Sequence, residues 1–142
     1  MFMRHALIRA SLAAALVKTV AADFAVLQPG TIANTSNVAL SSGCVRAMEA
    51  TLQCDEYLEA IAAADIYAAD NSTQVIVCTT DCSTSLASYI RNVDLACAND
   101  LQAWSGLNHD YYGKVLQSTY NMTCLKDPST GQFCTGKQSS IF

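Results

Sequence analysis

The chain has 142 residues, with 8 basic and 12 acidic side chains, a net charge of -4 and seven cysteines. An acidic balance of this kind excludes a basic surface for nucleic acid, and the length suits one domain better than two. Seven cysteines in so short a chain read as a disulfide framework, which belongs to an oxidising compartment.

Residues 1–22 read as a cleaved signal peptide. Arg4 and Arg9 supply the basic start, Ser11 to Val17 is a short apolar run, and Val20, Ala21 and Ala22 offer small residues for cleavage before Asp23. The run is well short of the roughly 20 apolar residues that span a bilayer, so no stable membrane insertion is expected. Cleavage leaves 120 residues carrying 5 basic and all 12 acidic side chains. All seven cysteines lie in this mature part, together with a single histidine, His109. It has no closely spaced pairs of cysteine couples, so neither a metal nor a cofactor is expected.

Residues 23–42 read as an extended arm, with Pro29-Gly30 and no helical periodicity. Within it, Asn34-Thr35-Ser36 is an acceptor for N-glycosylation. Ser42 is placed to cap a helix from Cys44 to about Gln53, with Cys44, Met48 and Leu52 on one face and Arg46 and Glu49 facing water. Asp55 caps a second helix, with Glu56 and Glu59 near its positive end. Tyr57, Leu58, Ile61 and Ala62 form its buried stripe, and Asp70-Asn71 its stop. Asn71-Ser72-Thr73 is the second glycosylation acceptor. The β-branched run Thr73 to Val77 reads as a helical turn, because a lone strand would have no partner.

The next helix, Cys82 to Cys97, is the spar of the molecule. Leu86, Ile90, Val93 and Cys97 recur at helical spacing from Cys82, and Thr79, Thr80 and Asp81 supply its N-terminal chemistry. Its two cysteines are about 22 Å apart at 1.5 Å per residue and cannot bridge each other. Ala98 to His109 reads as loop, with Leu101, Trp104 and Leu107 seeking the core or a ligand. Asp110 opens a last helix with Tyr111, Val115, Leu116 and Tyr120 along its apolar side. Gly113 weakens it by about 1 kcal/mol against alanine. Asn121-Met122-Thr123 is the third acceptor, and a turn at Pro128 to Gly131 brings Cys134 back towards Cys124. The expected architecture is all-α. Four to five short helices surround a central one, with residues 43–134 as a cysteine-rich helical domain and 135–142 as a loose tail. Cys44, Cys54, Cys78, Cys82, Cys97, Cys124 and Cys134 supply three disulfides and leave one cysteine over.

Nothing in this set reads as an enzyme. His109-Asp110 is the single histidine candidate for a nucleophile system, and it sits in a Ser/Gly/Asn loop where a histidine is normally solvated. Asp55, Glu56 and Glu59 are accounted for by the first turn of a helix rather than by a glycosidase pair. Trp104, Tyr111 and Tyr112 cluster within nine positions; core filling and loop anchoring explain such aromatics more cheaply, but the cluster is the candidate binding face.

The cysteine order, with the Cys78-Thr-Thr-Asp-Cys82-Ser-Thr-Ser-Leu86 run and the Asn121-Met-Thr-Cys124-Leu125 stretch, resembles the cysteine-rich region that precedes LysM modules in secreted ascomycete proteins of the LysM effector type. The resemblance runs from about Asp23 to Cys134. It implies a secreted, non-catalytic fungal protein in the extracellular space, in contact with cell-wall polysaccharide (chitin) or a host extracellular protein. A LysM module carries a Gly-Asp-Thr-type turn in a βααβ unit, and no stretch of this chain is similar to one. The pattern is also similar to the elicitins, small helical sterol carriers of oomycetes, which makes a sterol or lipid carrier the alternative. That plan implies Cys44–Cys97, Cys54–Cys82 and Cys78 with either Cys124 or Cys134.

Overall fold

The computed structural model describes residues 23–32, 39–64, 69–100 and 106–134. The signal segment, Asn34, Leu101, Trp104 and the C-terminal tail lie outside the described residues. Among those described, five helices and one two-stranded sheet occur: β1 (Phe24–Ala25), α1 (Ser42–Met48), β2 (Thr51–Leu52), α2 (Tyr57–Ala64), α3 (Asn71–Val77), α4 (Thr80–Ala96) and α5 (Tyr111–Thr123). The fold is mostly helical, with α4 as its axis. α4 packs against α1, β2 and α5, while α2 packs on α5 and on α3.

The caps set where helices begin. Ser41, rather than Ser42, caps α1 by accepting from the Cys44 N–H (3.2 Å). Asp70 caps α3 through the Thr73 N–H (2.7 Å), so this residue starts a helix instead of ending the previous one. Thr79 caps α4 through the Cys82 N–H (3.2 Å). Each oxygen satisfies a backbone donor that the first turn leaves without a helical partner.

The first helix is shorter than expected. It stops at Met48, and Leu52 reaches the core from β2, where Phe24 pairs with Leu52 and Ala25 with Thr51 in antiparallel register. Part of the expected arm is thereby packed down, with Leu27 and Ile32 buried. The turn between them closes from the Thr31 N–H to the Gln28 carbonyl (3.0 Å). Gly30 takes a positive φ of 84°, which favours glycine, and donates its N–H to Glu49 Oε1 (2.8 Å). Glu49 therefore holds the arm instead of simply facing water.

Two buried stripes are rotated from those expected. In α4 the buried set is Cys82, Leu86, Tyr89 and Val93, and Ile90 is half-buried. Tyr89 can enter the core because its hydroxyl donates to the Met48 carbonyl (2.8 Å), leaving no unsatisfied polar group. In α5 the inward positions are Gly113, Leu116, Thr119 and Thr123, while Tyr111 is exposed and Val115 and Tyr120 are half-buried. Gly113 is the contact point. A Cβ there would lie 2.8 Å from two ring carbons of Tyr89 and 3.0 Å from Ile90 Cγ1, so the missing side chain lets α5 approach α4. In α2, Leu58 and Ile61 are buried, but Tyr57 points outward at 54% exposure.

Three disulfides staple this arrangement: Cys44–Cys97 and Cys54–Cys82 tie α1 and the segment after β2 to the two ends of α4, and Cys78–Cys124 joins the end of α3 to the end of α5. Cys134 stays a free, exposed thiol, so the seventh cysteine is not a disulfide residue here. The chain does return as the turn signal suggests. Lys126 bridges Phe133, the Cys134 N–H donates to the Leu125 carbonyl (2.8 Å), and the Asp127 carboxylate accepts from the Ser129 N–H (2.8 Å).

Candidate functional site

The expected binding face surrounds the start of α5, and its base is firmly anchored. Asp100 accepts from the Ser41 N–H and from the Ser41 hydroxyl, both at 2.8 Å, which joins the N-terminus of α1 to the segment after α4. These two hydrogen bonds hold the Asp100 carboxyl below its ordinary pKa, with a smaller attraction from His109. His109 is half-buried rather than solvated. A ring nitrogen lies within 4.8 Å of the sulfurs of Cys44 and Cys97. Those sulfurs are bonded to each other, whereas metal ligation needs thiolates, so the trio is a packing contact around a cystine.

Tyr111 and Tyr112 follow directly. Their rings meet edge to face, with centroids 5.4 Å apart and planes 81° apart. Tyr111 is exposed, and Tyr112 is half-buried against the core. The pair thus offers one open ring with a second ring bracing it, not a flat platform of two. Trp104, the third member of the expected trio, falls outside the described residues. Asp110 is buried and forms an ion pair with Lys114 instead of capping α5 with its side chain.

Among the described residues, open concavities lie on two helix surfaces. One, of about 490 Å³, is lined by Ser83, Thr84, Ala87, Ser88 and Arg91 on the outer side of α4. The other, of about 360 Å³, is lined by Glu56, Tyr57, Glu59, Ala60 and Ala63 on α2. An aromatic ring between two carboxylates can stack on a sugar and accept from its hydroxyls. Sequence reasoning misses this grouping because it assigns Tyr57 to the buried stripe. The concavity is open to solvent, whereas a carboxylate acting as general acid is typically sheltered from water.

The acceptors for glycosylation are placed differently. Asn71 is exposed at the first residue of α3, and Asn121 is exposed in the last turn of α5. Asn34 is outside the described residues.

The family model described as the secreted LysM effector N-terminal domain matches residues 24–140. A curated relative, the "Non-secreted LysM effector LysM15" of Penicillium expansum, is 29% identical over 97 residues, covering 67% of this chain and 7% of that protein. The chain therefore spans only a small part of that relative's length. No solved structure matches it significantly. The secreted family and the disulfide-rich fold fit an extracellular location. Since the family model covers every bridged cysteine and the whole described fold, the chain belongs to the secreted LysM effector N-terminal domain family.

Proposed function

We propose that this domain is a secreted, non-catalytic module of an effector-type protein, working at the fungal cell surface or host interface in contact with cell-wall chitin. The observation that carries this reading is the family match over residues 24–140, running through all three bridges. The route out of the cell is residues 1–22, with cleavage after Ala22. The contact face is the loop carrying Trp104 together with Tyr111 and Tyr112, where an exposed Tyr111 ring suits stacking on a pyranose. The test is co-sedimentation of the secreted protein with insoluble chitin. Retention is expected in the wild type. Trp104→Ala should lose it and Tyr111→Ala should weaken it, with helical circular dichroism unchanged. Protein that stays in solution would refute chitin contact, and retention surviving Trp104→Ala would refute this face.

A sterol carrier is the second reading, favoured by one observation: the three bridges join the couples that the elicitin plan implies, with Cys124 as the partner of Cys78. Against it, Leu52, Leu58, Leu86 and Val93 are fully buried in one continuous core cluster, as in a filled interior. A fluorescent sterol titration separates the two, because saturable uptake belongs to the carrier alone.

A further inference from the structure

Four apolar side chains stand exposed beside one seam of the molecule. Gln74 Nε2 donates to the Thr123 carbonyl (3.1 Å) and Cys78 bridges Cys124, so the second half of α3 runs beside the end of α5. Val75 and Ile76 lie between those two ties and are 62% and 45% exposed, while Met122 and Leu125 flank Thr123 and Cys124 at 41% and 58%. Single exposed apolar residues are ordinary, but a concentration of them at one place is either covered or a liability.

The sequence places two glycan acceptors at the edges of this strip. Asn71 precedes Val75 by four residues on α3, whereas Asn121 adjoins Met122 in the last turn of α5 and Leu125 lies just past the C-cap Cys124. Residues four apart on a helix share a face, with Cβ atoms about 5–6 Å apart, well within reach of a first sugar. Both asparagines are exposed, and capping of α3 falls to Asp70, which leaves the Asn71 amide available for modification.

We propose that N-linked glycans on Asn71 and Asn121 cover this strip. The hydrophobic face of the first pyranose lies over Val75 on one side and over Met122 and Leu125 on the other, with its hydroxyls in water. In the transfer, the asparagine Nδ2 bonds to the anomeric carbon of a lipid-diphosphate-linked oligosaccharide. The carbon–oxygen bond to the diphosphate breaks, the lipid diphosphate leaves, and one amide proton is lost. Thr123, the hydroxyl residue of the Asn121 acceptor, is fully buried beside the bridged Cys124, so transfer to Asn121 precedes closure of Cys78–Cys124. The inference rests on passage through the secretory route.

The experiment uses the full chain secreted from a eukaryotic host. Sites are mapped by enzymatic release of glycans in ¹⁸O water. Binding of a fluorescent hydrophobic dye is then compared between native protein, the same folded protein after deglycosylation, and an Asn71→Gln/Asn121→Gln variant. Both sites should be modified, and loss of the glycans should raise dye binding several-fold. Adding Val75→Ser and Leu125→Ser to the double variant should return it to the native level. An unmodified Asn71 or Asn121 in secreted, bridged protein overturns the proposal, as does dye binding that deglycosylation leaves unchanged. A chain retained in the cell with all thiols free would instead overturn the secretory reading, and the proposal with it.

Discussion

Replacing Gly113 by alanine sets two opposing effects against each other at one atom. On an exposed helix position the change would stabilise by about 1 kcal/mol, because alanine loses less backbone entropy. At Gly113 the new methyl would sit 2.8 Å from Cδ1 and Cε1 of Tyr89 and 3.0 Å from Ile90 Cγ1. Ordinary carbon contacts are about 3.5–4.0 Å, so α5 or the ring must move by more than half an ångström. The ring has little room to retreat. Tyr89 is 4% exposed, and its hydroxyl is held by the Met48 carbonyl. Overpacking of this kind costs about 1–3 kcal/mol, and displacing the hydroxyl adds about 1 kcal/mol more. The expected net result for Gly113→Ala is a loss of about 1–3 kcal/mol, read as a lower midpoint in denaturant unfolding of the disulfide-intact protein. Ser118→Ala, at an exposed position of the same helix, is the control and should be neutral or slightly stabilising. If Gly113→Ala equals or exceeds wild type in stability, close packing between α4 and α5 is not what selects glycine.

Tyr89→Phe should cost about 1–2 kcal/mol by removing the buried donor to the Met48 carbonyl, measured in the same unfolding assay. Hydrogen bonds lower the carboxyl pKa of Asp70, Asp100 and Asp127 from the ordinary 3.8. Their contribution is therefore complete above that value and is lost as pH falls from it through the lowered values. Unfolding midpoints should fall on acidification below about pH 4, and less steeply in Asp100→Asn. One thiol per chain should react with a thiol reagent without denaturant, and Cys134→Ser should abolish that reaction while leaving the unfolding midpoint unchanged.

The central helix was legible because Cys82, Leu86 and Val93 repeat at helical spacing and Thr79 begins it with a hydroxyl cap. Its exact buried edge was not. Hydropathy ranks Ile90 above Tyr89, and the hydrogen bond that admits Tyr89 comes from a carbonyl 41 residues away. Gly113 read as a weak point in a helix for the same reason: its benefit lies in another helix. β1 and β2 are two residues each, too short to show alternation, so spacing alone places Leu52 on a helix that in fact ends four residues earlier. At the candidate site, Tyr111 and Tyr112 are adjacent as in the sequence, but only their geometry separates the exposed ring from the bracing one. Tyr57 illustrates the opposite error. An aromatic beside Leu58 looks apolar-faced in one dimension and turns out to point at water between two carboxylates.

The bridges also decide what happens when the backbone is cut. Cys54–Cys82 is nested inside Cys44–Cys97, and Cys78–Cys124 straddles the ends of both. Every peptide bond between residues 44 and 124 is consequently spanned by at least one covalent cross-link, and those between 78 and 82 by three. A single proteolytic nick anywhere in that stretch leaves two pieces that remain one molecule. The segment from 97 to 124, which carries Trp104, Tyr111 and Tyr112, is secured by Cys78–Cys124 alone. In a protease-rich extracellular setting, a first cut between Cys97 and Cys124 leaves the fragment that holds Cys124 attached through Cys78 to the end of α3, so the damage stays local.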